Sequence, residues 1–158
     1  MRIAVGADHA GYPLKAGAIA ELRRLGHQVI DLGTDSEEPV DYPDFARAVA
    51  EAVMRGEAER GLLICGSGVG TSIVANKVPG VRAATCHDTF SSRQGVEDDD
   101  MNVLCLGARV IGQKLALDVI GAWLGATFSG EERHTRRLNK VKAIEARYLR
   151  DPSRERVT

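Results

Sequence analysis

Short apolar segments alternate with longer amphipathic segments along most of this chain. Each apolar segment suits one buried strand, and the five of them occupy residues 3–5, 29–32, 62–64, 81–86 and 103–106. Between them apolar residues recur at helical spacing, as Phe45, Val49 and Val53 do. This alternation predicts right-handed βαβ units, and therefore an α/β fold with a five-stranded parallel sheet and helices on both of its faces.

The 158 residues suit one domain with a sizeable core. We expect that domain to span residues 1–150 and to close with an extended C-terminal helix over residues 131–150. In that helix Leu138, Val141 and Ile144 follow a helical period. Residues 151–158 are polar and are expected to form a flexible tail.

Charge and cysteine usage narrow the function classes. A net charge of −1 provides no basic field for nucleic acid, and the apolar runs are too short to cross a membrane. The sequence opens on MRIAVGADH, without a signal-peptide pattern, and its three cysteines lack C-x-x-C spacing. We therefore expect a cytoplasmic protein with reduced thiols and no metal site.

Residues 62–77, LLICGSGVGTSIVANK, carry the strongest chemical signal. An apolar run ends at Cys65, and Thr71 opens a helical segment after a turn formed by Gly66, Ser67, Gly68, Val69 and Gly70. Glycines let backbone N–H groups converge, and a helix N-terminus adds positive charge, so the turn predicts a site for a small anion or oxyanion. A thiolate there would be stabilised, which makes Cys65 a candidate base or nucleophile. The alternative is a small buried hydrophobe at the end of a strand.

The spacing of these glycines excludes two common nucleotide sites. The pattern is G-x-G-x-G after the third strand, rather than a dinucleotide fingerprint after the first, and no Gly-Lys-Ser/Thr follows it. Ligands of parallel sheets bind at the carboxyl ends of the strands. We therefore expect one crevice to collect the residues at these ends, namely Asp8, His9, the turn after Cys65, His87, Asp88 and Arg109.

Six segments, in this order, resemble one known family. They are Gly6-Ala7-Asp8-His9-Ala10-Gly11, Asp41-Tyr42-Pro43, Cys65-Gly66-Ser67-Gly68-Val69-Gly70, Ala75-Asn76-Lys77, Asn102-Val103-Leu104 and Gly107-Ala108-Arg109-Val110. Together they are similar to the ribose-5-phosphate isomerase B / galactose-6-phosphate isomerase family of sugar-phosphate isomerases. The resemblance covers nearly the whole chain. It implies a Rossmann-like three-layer α/β/α sandwich that forms a homodimer or a dimer of dimers, with no metal or cofactor.

The resemblance also implies an aldose–ketose isomerisation, such as that of ribose 5-phosphate and ribulose 5-phosphate. Such a reaction moves a proton through an enediolate, and it needs a base, oxyanion donors and a phosphate clamp. Cys65 matches the position of the base, and Thr71 borders it. Ser67 and the amides of Gly66, Gly68, Val69 and Gly70 would hold the oxyanion, although Ser67 also suits turn chemistry.

The remaining site residues implied by the resemblance bind substrate. Asp8 and Tyr42 match positions that line the sugar, and Asp99 borders the same site. Arg109, Arg133 and Arg137, assisted by His9, match the phosphate contacts, and family dimers bring the C-terminal arginines across from the partner chain. Alone, Arg133 and Arg137 would suit a solvated helix start. Cations at a helix N-terminus oppose its dipole, which favours an external anion as the reason for them.

Asp98 is the main departure from the family pattern. The family commonly has a histidine at this position, thought to open the furanose ring. An imidazole both donates and accepts protons near neutral pH, whereas an ionised carboxylate only accepts them. Ribose 5-phosphate remains the favoured substrate, with ring opening by Asp98, by solvent or by another group. The alternatives are a sugar phosphate that needs no ring opening, such as a tetrose phosphate, and a non-catalytic sugar-phosphate binder, for which Cys65 would have no use.

Overall fold

The computed structural model describes residues 1–149, and the predicted elements are present in the predicted order. Within those residues the chain forms five strands and six helices. Their bounds are β1 Arg2–Ala7, α1 Tyr12–Arg24, β2 Gln28–Asp31, α2 Tyr42–Met54, β3 Arg60–Cys65, α3 Val69–Ala75, β4 Ala83–Thr85, α4 Thr89–Asp99, β5 Val103–Gly107, α5 Gln113–Gly125 and α6 Glu132–Tyr148. The predicted tail, residues 151–158, lies outside the described residues.

The five strands form one parallel sheet in the order β2-β1-β3-β5-β4, which confirms the predicted α/β fold. In this register Ala7 pairs with Ile64, and Cys65 pairs with Gly107. The carboxyl ends of β1, β3 and β5 therefore lie side by side at one edge. The strand order changes direction between β1 and β3, where parallel sheets open a ligand crevice.

Side chains from alternate positions of each strand pack on opposite faces of the sheet, as the strand period of two requires. Leu62 and Ile64 pack on the face covered by α1, α4 and α5, whereas Leu63 packs on the face covered by α2 and α3. Both faces are thus buried by helices, which explains why the strand segments are almost entirely apolar. Among the described residues, none of the helices combines the length and the apolar character needed to cross a bilayer.

Helix α4 runs further than the sequence predicts. The sequence predicts a helical stretch from His87 to about Gly95, whereas the helix continues to Asp99. Met101 packs beside Gly95, with its sulfur 3.2 Å from an ideal Cβ, so a larger residue there would crowd Met101. The helix ends at Asp100, whose φ of 53° is left-handed and whose carboxylate pairs with Arg82 at 2.7 Å. Asp98 therefore lies on the last helical turn rather than in a loop.

Strand β4 is shorter than predicted, since it covers Ala83–Thr85 rather than residues 81–86. Helix α3 begins at Val69, two residues before the predicted start at Thr71. Helix α6 covers Glu132–Tyr148 of the predicted 131–150. These differences shift element ends and leave the topology unchanged.

We expect Gly11→Ala to lower the free energy of unfolding by about 3 kcal/mol, the upper end of ordinary overpacking costs. A Cβ at Gly11 would lie 2.0 Å from the Ile64 carbonyl oxygen, so α1 could not approach the end of β3 as it does. Urea denaturation would measure the change, with Gly121→Ala as the matched control. Gly121 lies inside α5, and nothing lies within 4 Å of a Cβ built there, so alanine should raise the free energy of unfolding by about 0.5 kcal/mol. Equal stability of the two variants would contradict this packing.

Candidate active site

The turn after β3 folds one of its own amides onto the Cys65 thiol. Gly68 has a φ of 81°, a left-handed conformation that favours glycine, and a Cβ there would lie 2.8 Å from the Thr85 methyl carbon. In this conformation the Gly68 N–H donates to Cys65 Sγ at 3.0 Å. The side chain of Cys65 is thus tied to the turn although the residue is only 5% exposed. An N–H donor at this distance stabilises a thiolate.

Thr71 provides a second polar group beside the sulfur, with its Oγ1 atom 3.6 Å from Cys65 Sγ. This hydroxyl donates to the Gly68 carbonyl at 3.1 Å, and the same carbonyl also accepts from Thr85 Oγ1 at 2.9 Å. Because the carbonyl would keep the Thr85 hydrogen bond, the Thr71 hydroxyl can rotate towards an ionised Cys65 without leaving a buried acceptor unpaired. The thiolate would then have two donors.

The other two cysteines are in environments that oppose ionisation. Burial raises the pKa of the Cys86 thiol to about 11, and the neighbouring Asp88 carboxylate adds to that rise. Burial also raises the pKa of Cys105, which lies in the core. Cys65, by contrast, lines the cleft at the carboxyl ends of the strands. This supports Cys65 as the reactive thiol.

A cleft of about 550 Å³ opens at the carboxyl ends of β1, β3 and β5, within the usual size range of small-molecule sites. It is lined by Asp8, His9, Ala10, Tyr42, Cys65, Gly66, Ser67, Val69, Gly70, Arg109 and Val110. Most of the predicted site residues therefore meet there, and Thr71 contacts Cys65 from behind the turn. Sequence reasoning did not select Ala10 and Val110, whose apolar side chains carry no chemical signal.

Asp8 and His9 follow β1 and are both oriented by backbone amides. Asp8 is 7% exposed, and its Oδ1 atom accepts a hydrogen bond from the Gly11 N–H at 2.9 Å. His9 Nδ1 accepts from the Val40 N–H at 3.2 Å. A neutral His9 ring must then carry its hydrogen on Nε2, which leaves Nε2–H as the donor available to a ligand.

Tyr42 reaches the cleft because Gly70 has no side chain. An ideal Cβ at Gly70 would lie 2.8 Å from the Tyr42 ring, so the phenol at the start of α2 packs directly over the first turn of α3. Tyr42 remains 40% exposed, as expected of a residue that borders an open cleft.

Arg109 is held beside the turn by the backbone that follows β5. The Ala108 N–H donates to the Cys65 carbonyl at 2.8 Å, and the Arg109 N–H donates to the Gly66 carbonyl at 3.0 Å. The preceding Gly107 donates its N–H to His87 Nε2 at 2.9 Å. Burial lowers the pKa of His87, which favours the neutral ring that this accepting role requires. His87 thus supports the turn without lining the cleft.

Two of the predicted oxyanion donors are already used within the turn. The Gly68 N–H donates to Cys65 Sγ, and the Val69 N–H donates to Ser67 Oγ at 3.3 Å. A single N–H cannot also serve a substrate at full strength, so these contacts weaken the case for the two amides, whose assignment to the oxyanion stays a prediction. The Ser67 hydroxyl and the amides of Gly66 and Gly70 remain from the predicted set. Ser67 accepts a hydrogen bond within the turn, as its alternative interpretation as a turn-forming residue predicts. It also lines the cleft.

Gly68 and Thr71 contact Cys65 without lining the cleft, and four further predicted site residues lie away from it. Asp98 faces His134 across the α4–α6 contact, with 3.4 Å between Oδ1 and Nε2, and Asp99 borders a separate cavity beside α6. Arg133 and Arg137 lie exposed on α6. The prediction that the arginines act on a partner's cleft stays a prediction, since the structure describes one chain.

His134 is the polar residue that sequence reasoning did not select. It is 4% exposed and contacts Asp98, Arg133 and Ser129. His134 stands in an arginine-rich segment and is far from Asp98 in sequence. The sequence therefore gave no sign that α6 packs on the end of α4. Across the described part of the chain, no three His, Cys, Asp or Glu side chains are grouped as a metal site would require.

Comparison with known proteins gives the same result as the motifs. A family model described as Ribose/Galactose Isomerase matches residues 3–141. The chain belongs to this family. The resemblance drawn from the six segments is thereby confirmed.

Relatives match this chain over nearly its whole length. Ribose-5-phosphate isomerase B from Escherichia coli (strain K12) is 47% identical over 146 residues, which is 92% of this chain and 97% of that protein. D-erythrulose-4-phosphate isomerase from Pectobacterium atrosepticum is also 47% identical, over 132 residues, which is 82% of this chain and 86% of that one. The solved structure of Clostridium thermocellum ribose-5-phosphate isomerase B is 51% identical, has a TM-score of 0.91 and covers 94% of this chain and 99% of its own. These likenesses confirm the predicted three-layer fold.

We expect iodoacetamide at about pH 8 to alkylate Cys65 well before the other two thiols in the native protein, because Cys65 borders the cleft and has an N–H donor for its thiolate. Peptide mapping by mass spectrometry would locate the label. A Cys65→Ser variant is the control and should remain unlabelled until it is denatured. Labelling of native Cys86 or Cys105 at the rate of Cys65 would contradict the assignment.

Proposed function

We propose that this protein interconverts ribose 5-phosphate and ribulose 5-phosphate by proton transfer through an enediolate, with the Cys65 thiolate as base. The Gly68 N–H held on Cys65 Sγ, inside a cleft large enough for a sugar phosphate, carries the proposal. The Escherichia coli relative, similar over 97% of its length, supports this substrate class.

The residues of the cleft suit each step of such a reaction. Cys65 removes the C2 proton of the open-chain aldose, and the C–H electron pair moves into the enediolate as negative charge develops on the carbonyl oxygen. The Ser67 hydroxyl and the amides of Gly66 and Gly70 stabilise that oxygen. The proton of the C2 hydroxyl passes to the C1 oxygen, so that C2 becomes the carbonyl carbon. The Cys65 thiol then returns a proton to C1, which gives the ketose and regenerates the thiolate. Asp8 lies at the sugar end of the cleft and positions hydroxyl groups.

Phosphate binding would use groups from two copies of the chain. Arg109 lines the cleft, and His9 offers its Nε2–H. We propose that a second copy brings Arg133 and Arg137 of its α6 across the cleft in a homodimer. Their exposure supports this, as does the apolar stripe that follows them on α6, where Val141, Ile144 and Tyr148 are all exposed. Such a stripe on a helix is typical of a surface that packs against another chain.

A tetrose 4-phosphate is the second candidate substrate, and Asp98 favours it. A tetrose 4-phosphate cannot close a furanose ring, because the hydroxyl that would close it carries the phosphate. An isomerase for such a substrate needs no imidazole at residue 98. The Pectobacterium atrosepticum relative, named for D-erythrulose 4-phosphate, is as similar in identity as the Escherichia coli relative. With ribose 5-phosphate, ring opening would be left to solvent or to Asp98, which contacts His134 as Arg133 does and would enter a partner's cleft beside it.

We expect wild-type protein to convert ribose 5-phosphate in an assay that detects the ketose product. Asp98→His should raise the kcat for ribose 5-phosphate by about tenfold, which is less than the gain that a general acid–base group usually provides. Asp98→Asn is the matched control, because an amide supplies no proton transfer and should not raise the rate. A tetrose phosphate tested beside it should show no gain from the histidine.

Each failure of this assay points to a different conclusion. Wild-type turnover of the tetrose phosphate without turnover of ribose 5-phosphate would select the second candidate. Binding of both sugars without turnover of either would favour the non-catalytic binder and overturn the proposal.

A further inference from the structure

His134 is buried at the junction between α4 and the start of α6, and its ring nitrogens have three side-chain neighbours. Ser129 Oγ lies 2.6 Å from Nδ1, Arg133 Nε lies 3.0 Å from Nε2, and Asp98 Oδ1 lies 3.4 Å from the same Nε2. Two of these neighbours, Arg133 and Asp98, are residues that the proposed function uses. At 4% exposure His134 itself offers no surface to a substrate.

The two neighbours of Nε2 require opposite protonation states. Arg133 can only donate to Nε2, which must then have a free lone pair, whereas the Asp98 carboxylate can only accept from a protonated Nε2. The shorter contact is the one to Arg133. In that state the ring is neutral, and its hydrogen on Nδ1 donates to Ser129 Oγ. A second proton on the ring would turn Nε2 into a donor for Asp98 and leave it repelling Arg133.

Other charged groups surround this junction. On α4, Glu97 lies next to Asp98 and pairs with Arg93 at 3.7 Å, while its carbonyl accepts from the Ser129 N–H at 3.0 Å. In the loop before α6, Glu131 pairs with Arg133 Nη2 at 3.1 Å. Glu131 thus holds one end of the Arg133 guanidinium while His134 holds Nε. Loss of the His134 contact would free the Arg133 side chain to pivot on Glu131.

We propose that His134 is a positioning residue whose neutral ring fixes Arg133 for phosphate binding, and whose protonated ring binds Asp98 instead and releases Arg133. The proposal deepens the proposed function and rests on it for the role of Arg133. A guanidinium that is already oriented loses less conformational freedom when it binds phosphate. Phosphate affinity should therefore fall in acid through His134, while proton transfer at Cys65 is unaffected.

The tautomer of His134 tests the proposal without any assay of activity. Nitrogen-15 NMR of wild-type protein at about pH 8 should show a hydrogen on His134 Nδ1 and none on Nε2, because Nε2 accepts from Arg133. In Arg133→Ala the donor to Nε2 is lost, so the ring hydrogen should move to Nε2 and face Asp98. A wild-type ring protonated on Nε2 at this pH would overturn the proposal.

Steady-state kinetics test the consequence for the substrate. When the pH is lowered from about 8 to about 5.5, wild-type KM should rise about fivefold more than that of His134→Gln, the lower end of ordinary coupling between sites. Glutamine can accept from Arg133 and does not titrate, so it keeps the contact at both pH values. Protonation of the substrate phosphate affects both proteins and cancels in the ratio. The pH profile of kcat should be the same in both.

Parallel KM profiles in the two proteins would overturn the proposal. If His134→Gln does not fold, the wild-type tautomer alone decides it. If the wild type converts no sugar phosphate, the proposed function fails, and the NMR result still shows whether His134 holds Arg133.

Discussion

The carboxyl end of β3 lies in close backbone contact with the elements on both sides, and the rest of the site depends on this. Gly11 brings the start of α1 against the Ile64 carbonyl, and Gly107 brings the end of β5 against Ser67, where a Cβ would lie 2.6 Å from the Ser67 carbonyl carbon. Gly68 supplies the left-handed residue between them. The turn after Cys65 therefore has little freedom, and its amides and thiol keep one geometry. A catalytic group held this way needs little reorganisation during the reaction.

This geometry supports the proposal that a buried cysteine is the base. Burial alone opposes ionisation of a thiol, as the raised pKa values of Cys86 and Cys105 show. The Cys65 sulfur has an N–H donor from the turn and the Thr71 hydroxyl nearby. In the proposed reaction the turn would therefore act on the base through Gly68, and its other donors would act on the substrate oxyanion. Sequence reasoning assigned the Gly68 amide to the oxyanion, since glycine spacing alone does not show where an N–H points.

The sequence predicted the features that depend on local pattern and missed those that depend on packing between distant elements. The strand and helix periods predicted a parallel sheet with helices on both faces, and the strand ends placed Asp8, Cys65 and Arg109 in one cleft. The contact between Asp98 and His134 was not predictable, because it depends on the extra turn of α4 and on how α6 packs against it. The role proposed for Arg133 and Arg137 would depend on a second copy of the chain, which neither periodicity nor one chain's geometry provides.

Deuterium incorporation from D₂O would show whether Cys65 transfers the proton. We expect wild-type protein, over many turnovers, to place solvent deuterium on C1 of the ketose product. Cys65→Ala should bind the same sugar phosphate and incorporate none. A wild-type product free of deuterium would indicate hydride transfer, and incorporation by Cys65→Ala at the wild-type rate would assign the base to another residue. Either result would contradict the account.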